Sequence, residues 1–323
     1  MLTEILKNNQ CFKLVCGAGN EDMKEVEKLV ALYSKAGCNF FDLCAKPEIV
    51  EAAKRGLEIA GIKRNRYLCV SLGIKGDPHA NKALIDEKKC SSCGKCAKIC
   101  PQGAIFKSED LSYKVNKIRC IGCEKCVSVC PNSAFGLYSE AKNPKDVLPE
   151  IVKQGIDCIE YHALIADEKE VYDKWDEINQ IYDGFLSICI DRSKLGNEGM
   201  LNRVKRMIKD RAPYTAIVQA DGCPMSGGAD DYKTTLQAVA MAEIFQNADL
   251  PVYILLSGGT NSKTSELAAQ CGIHPSGVAI GSFARKIVKE YINRDDFLNN
   301  EEVFNKALVI AKNLVDTTLK NLR

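Results

Sequence analysis

Short apolar runs rich in β-branched and aromatic residues alternate along the chain with longer stretches whose apolar positions recur at helical spacing. The short runs fall at 12–17, 38–44, 67–73, 157–163, 184–191, 214–222, 252–258 and 277–282. Helical patterns lie between them, for example at 22–35, 147–154, 200–211, 234–245 and 262–270, and the last run leads into another at 285–291. Strand and helix in alternation predict a parallel sheet with covering helices, an α/β fold. Eight units in this order predict a TIM-type (β/α)8 barrel.

Inside the strands, polar and apolar residues separate by parity. Phe40, Asp42 and Cys44 share one face and Phe41 and Leu43 the other; Ser71 lies opposite Leu68, Val70 and Leu72. Glu160 and His162 oppose Ile159 and Tyr161, Ser187 and Asp191 oppose Leu186, Ile188 and Ile190, and Gln219 and Asp221 oppose Val218 and Ala220. Barrel strands point alternate residues at the lumen and at the outer helices, so the polar set is expected inside. Asp42, Glu160, His162, Asp191 and Asp221 lie toward the C-terminal strand ends, and are therefore expected to converge at the mouth where such barrels place their chemistry. Lys13, alone in an apolar first strand, is expected to pair with Glu160. The competing reading is a satisfied polar core without catalysis, because buried charge is costly unless paired or used.

Two turns suit an anion. Ser257-Gly258-Gly259-Thr260-Asn261 follows the seventh strand and Gly281-Ser282-Phe283 the eighth. Small residues there leave backbone amides free to hold a phosphate, so Ser257, Gly258, Gly259, Gly281 and Ser282 are candidate ligands for flavin mononucleotide (FMN) or a phosphorylated small molecule. Two plain turns are the alternative.

Residues 75–142 interrupt the barrel after its third strand, leaving 1–74 and 143–323 as the barrel domain. The segment holds two identical runs, Cys90, Cys93, Cys96, Cys100 before Pro101, and Cys120, Cys123, Cys126, Cys130 before Pro131. This C-x2-C-x2-C-x3-C-P spacing is that of bacterial two-cluster ferredoxins, in which the fourth cysteine of each run serves the other cluster. Cys90, Cys93, Cys96 and Cys130 are thus assigned to one 4Fe-4S cluster, and Cys120, Cys123, Cys126 and Cys100 to the second. Zinc knuckles also use C-x2-C pairs but have no use for the repeated C-x3-C-P ending. An insert in this βα loop covers the barrel mouth with an electron carrier.

Composition narrows the function further. The chain has 323 residues, 46% hydrophobic and 27% charged, with 44 Lys and Arg against 42 Asp and Glu. That near balance argues against nucleic acid or an anionic membrane as partner. Residues 1–10 carry Glu4, Lys7, Asn8 and Asn9 where a signal peptide needs an apolar core, and no window approaches a membrane span, so a cytoplasmic protein is expected. Disulfides do not persist there, and 17 cysteines therefore point to metal or redox chemistry. Within 75–142, 12 basic residues face 7 acidic ones, read as offsetting the clusters in preference to a docking patch for an acidic redox partner protein. Of the other cysteines most fall in strands, as small apolar residues. Cys223 instead sits in the turn-rich Asp221-Gly222-Cys223-Pro224-Met225-Ser226-Gly227-Gly228 loop, with Cys16 and Cys44 ending adjacent strands, and raises a third metal site or a reactive thiol against plain packing. The candidate catalytic set is thus Lys13, Asp42, Glu160, His162, Asp191, Asp221 and Cys223.

Phe12-Lys13-Leu14-Val15-Cys16-Gly17-Ala18, the paired cysteine runs, Gln219 through Gly227 with its Asp-Gly-x-Pro-Met-Ser-Gly core, and Gly258-Gly259-Thr260-Asn261 together resemble the light-dependent period (LdpA) family of iron-sulfur proteins. The resemblance spans most of the chain. It implies a protein that reports cellular redox state to the circadian clock; nothing in the sequence indicates a phototroph or a clock, so the clusters and redox role carry over and the pathway does not. Three functions follow: a redox relay or sensor with the barrel as platform, an iron-sulfur oxidoreductase whose barrel binds FMN or a phosphorylated substrate, and an assembly protein carrying clusters for another enzyme.

Overall fold

The computed structural model describes residues 1–62, 64–77, 80–223 and 228–322. The chain opens with α1 (Leu2–Lys7), β1 (Cys11–Val15), α2 (Met23–Ala36), β2 (Phe40–Cys44), α3 (Pro47–Ala60) and β3 (Tyr67–Leu72). It then leaves the barrel for β4 (Asn81–Ile85), α4 (Lys95–Ile99), β5 (Ile105–Lys107), β6 (Tyr113–Val115), α5 (Lys125–Val129) and β7 (Phe135–Ser139). The return passes through α6 (Pro144–Lys153), β8 (Cys158–His162), α7 (Glu168–Ile181), β9 (Phe185–Ile190), α8 (Gly196–Ile208) and β10 (Ala216–Asp221). After it come α9 (Tyr232–Ala248), β11 (Tyr253–Ser257), α10 (Thr264–Gln270), β12 (Gly277–Ile280), α11 (Ser282–Ile292) and α12 (Glu301–Leu322).

Eight strands, β1, β2, β3, β8, β9, β10, β11 and β12, close into a parallel barrel, the TIM-type fold that the alternation predicts. The excursion leaves the sheet intact: β3 pairs directly with β8, Ser71 opposite Glu160. Closure brings β12 against β1, Cys11 opposite Gly277, and a Cβ on Gly277 would overlap the Cys11 backbone, so only glycine permits that approach. Local signals fix the helices. Asp22 accepts from the Glu25 amide at 3.1 Å to start α2, Asp167 and Asp231 start α7 and α9 in the same way, and Gly37 with φ 106° ends α2.

The apolar strand faces, among them Phe12, Leu14, Phe41, Val70, Ile159, Ile188 and Val218, are buried against the helices in one continuous core. Two elements lie outside the eight repeated units. Leu2 and Leu6 of α1 pack with Cys11, Phe40, Cys69, Cys158 and Leu255, plugging the barrel end opposite the mouth, and α12 packs across α2, α10 and α11. The insert has its own small core and two antiparallel ribbons, β4 with β7 and β5 with β6. No described helix is long and apolar enough to cross a membrane.

Candidate functional site

The insert folds its two cysteine runs around each other. Cys90, Cys93, Cys96 and Cys130 line one cavity, and Cys100, Cys120, Cys123 and Cys126 line another, so each takes three thiols from one run and the fourth from its partner. Gly94 and Glu124 open the short helices α4 and α5 in the left-handed region, at φ 74° and 60°, which turns the thiols of each run toward a common centre. A Cβ on Gly94 would also press on the Tyr113 hydroxyl. Backbone amides already point at the sulfurs: Ser92 N at Cys90, Ala104 N at Cys100, Ala83 N at Cys120 and Ala134 N at Cys130, all between 3.3 and 3.4 Å. Thiols in fours with amide donors on the sulfur fit a 4Fe-4S cluster, whose potential such bonds tune.

The cavity of Cys100, Cys120, Cys123 and Cys126 is the inner one. Ile121 lines it and also lines a second cavity of about 100 Å³ at the barrel mouth. Charged side chains hold the insert there. Lys82, at the start of β4 and almost wholly buried, donates to the carbonyls of Gly19, Lys117 and Cys120 at 2.6, 3.0 and 2.9 Å. Arg119 pairs with Asp22, the N-cap of α2, and with Glu25 in the first turn of that helix, at 3.3 and 3.4 Å. Arg285 in α11, also buried, donates to the Val15 carbonyl, and with the Gln102 amide oriented to accept, to Gln102 at 2.8 Å. Gln102 is two residues past Cys100, so one guanidinium joins the inner cysteine cage to the mouth.

Beneath the mouth cavity runs a buried ionic network. Lys13 Nζ pairs with Glu160 at 2.5 Å and with Asp42 at 3.8 Å. Ser71 donates to Asp42 at 2.6 Å, and Glu160 also accepts from Ser187 at 3.1 Å and from the Gln219 amide. His162 lies between carboxylates, with Nδ1 2.8 Å from Asp77 and Nε2 3.4 Å from Glu160. Burial pushes Asp42 up to about 6, partly opposed by the Lys13 charge. Burial acts the same way on Glu160, but Lys13 and His162 outweigh it and bring that carboxyl down to about 2. His162 goes the other way: burial disfavours its charge, yet Asp77 and Glu160 raise it to about 10, so it stays an imidazolium at neutral pH.

Comparison with known proteins bears on both halves. A model of a 4Fe-4S dicluster domain matches residues 83–135, and one described as the light dependent period A C-terminal domain matches residues 150–317. Light dependent period A of Synechococcus elongatus is 30% identical over 304 residues, covering 90% of this chain and 84% of that protein. The chain belongs to the light dependent period A family. It is an iron-sulfur protein. Solved structures of similar outline include tryptophan synthase from M. tuberculosis, with TM-score 0.45 at 11% identity over 98% of each chain. A truncated 3-deoxy-D-arabino-heptulosonate 7-phosphate synthase from Thermotoga maritima has TM-score 0.45 at 11% identity over 95% of this chain and 86% of that one. Dihydrodipicolinate synthase from Oceanobacillus iheyensis has TM-score 0.41 at 10% identity, over 96% and 82%.

In this family member the mouth cavity is lined by Asp42, Glu160, His162 and Asp221, and by Ser257, Gly258, Gly259, Gly281 and Ser282 from the two turns. Asp191 stands apart from them, which corrects the reading that placed it in the lumen. β9 ends at Ile190, so alternation stops before it, and the Asp191 carboxylate accepts from the amide and hydroxyl of Ser193 at 2.6 and 2.5 Å, closing a turn. Cys16 and Cys44 are buried whereas Cys223 is half-buried. Among the described residues no metal-ligand group contains them; Cys16 is buried, with its thiol pushed well up by that burial, and Cys44 accepts from Lys142 Nζ at 3.6 Å. Cys223 is half-buried and its amide donates to the Gly258 carbonyl at 3.1 Å; residues 224–227 of its loop lie outside the described set. Sequence reasoning passed over Asp77, Ile121, Arg285 and Cys189. Only Cys189 had a signal, since it shares the parity of Ser187 in its strand.

Proposed function

We propose that this protein carries two 4Fe-4S clusters and serves as a redox relay or sensor, with the inner cluster against the mouth of the barrel. The observation carrying this reading is the crossed arrangement of thiols, two cavities each lined by four cysteines from both runs. When bound, the clusters supply one-electron oxidation and reduction. The chain's own part is to hold thiolates in fours, donate amides to their sulfurs and keep the inner cage from solvent. Cys93 is exposed whereas Cys120 and Cys126 are buried, so the outer cluster is the natural point of exchange with a redox partner protein and the inner one faces the barrel. Iron and acid-labile sulfide near eight each per chain are expected after anaerobic reconstitution. Cys100→Ser should disturb the cluster of the second run and spare the first, seen as one of two paramagnetic signals on reduction. Iron near four in fully reconstituted protein would sink the assignment.

A second reading, a barrel that binds a phosphate-bearing small molecule, is favoured by Gly259, Gly281 and Ser282 facing one cavity with Arg285. Its volume of about 100 Å³ is well below the roughly 300–1,000 Å³ of pockets for drug-sized ligands. A small anion therefore suits it better than FMN. Flavin bands in the spectrum of purified protein would reverse that order, and Gly281→Leu, whose side chain starts 3.2 Å from the Val15 Cβ, should abolish phosphate binding with iron content unchanged.

A further inference from the structure

We propose that Glu160, His162 and Cys189 form a mononuclear transition-metal site at the floor of the barrel mouth, distinct from the cluster cysteines and suited to zinc or ferrous iron. A carboxylate oxygen, an imidazole nitrogen and a thiol sulfur from these residues lie within 4.8 Å of one another. Their backbone positions are set by the sheet. Glu160 and His162 are two residues apart on one face of β8, and His162 stands directly opposite Cys189 of β9 in the parallel register. Ligands on adjacent strands of a closed barrel are held more rigidly than ligands on loops.

The surrounding bonds leave the right atoms turned inward. Lys13, Ser187 and Gln219 all engage Oε2 of Glu160, while Oε1 faces Nε2 of His162 at 3.4 Å. Nδ1 of His162 is 2.8 Å from the Asp77 carboxylate, the carboxylate-to-histidine contact that orients a ligating imidazole and raises its basicity. The Cys189 sulfur is 3.5 Å from Asp221 Oδ2, which places a further carboxylate beside the site. Mixed nitrogen, oxygen and sulfur donors favour zinc or ferrous iron over magnesium or calcium, which prefer oxygen alone. All three side chains line the mouth cavity, so a remaining coordination position opens on it, as in catalytic zinc sites. A divalent ion would replace the proton on His162 Nε2 and the thiol proton of Cys189. Two positive charges enter as two protons leave, and the buried network keeps its net charge.

This site is independent of the cluster assignment, and the test uses an element absent from iron-sulfur clusters. Full-length protein with reconstituted clusters is given one equivalent of zinc chloride, desalted, and examined by metal analysis and zinc K-edge X-ray absorption. The expected result is about one zinc per chain, with a single sulfur neighbour near ~2.3 Å and nitrogen or oxygen neighbours near ~2.0–2.1 Å. Cys189→Ala should remove the sulfur neighbour and weaken zinc retention at least tenfold with iron and sulfide unchanged, and Asp77→Asn should weaken it by roughly 10–100-fold. Failure of the wild-type protein to retain zinc would overturn the proposal. So would a four-sulfur shell, which means zinc in the cluster cysteines, or a Cys189→Ala variant that binds zinc like wild type. If a variant fails to fold, the wild-type zinc shell decides alone.

Discussion

Glu160 answers four partners through one carboxylate, and its position in the strand is why. It sits two residues before His162 on β8 and opposite Ser71 and Ser187 of the flanking strands, so His162 reaches it along its own strand, Ser187 from β9, and Lys13 and Gln219 from β1 and β10 across the lumen. These lumenal residues were legible in the sequence, because a period of two divides each strand into an inward and an outward set. Asp77 was not, since it comes from the loop after β3, where no period says which way a side chain points. Its effect is nonetheless large. In protein with no ion bound at Glu160, His162 and Cys189, His162 is raised to about 10 in the folded state from an ordinary 6.5. The stability it confers is therefore fully present below about 6.5 and is lost as pH rises toward about 10. Urea midpoints of chelator-treated protein should fall steadily from pH 7 to 9.5, and His162→Gln should flatten that slope. An unchanged slope in the variant would assign the alkaline loss to other groups.

At the level of elements, the eight strands and their order follow from alternation alone, whereas the contacts tying the insert to the barrel do not. Lys82 counted in the sequence only as one of many basic residues near the cysteines; in the fold its ammonium gathers three carbonyls from the first βα turn and the inner cage. Arg285, at the start of an amphipathic pattern, likewise gave no sign that its guanidinium would turn back to Val15 and Gln102. Both depend on long-range approach, which local spacing does not encode. Lys82→Ala removes the donor to three carbonyls, while Glu21 keeps Lys46 at 2.5 Å, and should cost about 3 kcal/mol. The loss should show as faster proteolysis within 100–135 and faster loss of iron in air, with the far-ultraviolet signal of the barrel kept. The plug at the other end is a separate matter. Leu6 is fully buried in the lower core, and Leu6→Ala should lower unfolding free energy by roughly 2–5 kcal/mol through the cavity it leaves, with cluster content unaltered.

Over the whole molecule, the chain carries two cysteine cages in line with a barrel mouth, the inner cage separated from the mouth cavity by Ile121. Such an arrangement makes the insert more than a passenger, and the place where barrel ends and insert begins becomes an energetic question. The sequence boundary at residue 75 assigns Asp77 to the insert, but Asp77 is fully buried and bonded to His162 of β8. Its carboxylate therefore belongs to the barrel in energy. Two shortened variants separate the possibilities, one joining Ile74 to Asn143 and the other joining Asp77 to Asn143, each through a short glycine-serine linker. Surface insertions and deletions cost little in loop closure, so both should remain folded. The variant that keeps Asp77 should be the more stable by about 3–5 kcal/mol, because removing one partner of a buried charge pair strands the other. Equal denaturation midpoints would mean that Glu160 alone suffices to hold the His162 charge. A failure of both to unfold cooperatively would show instead that the barrel needs the insert above it to close its mouth.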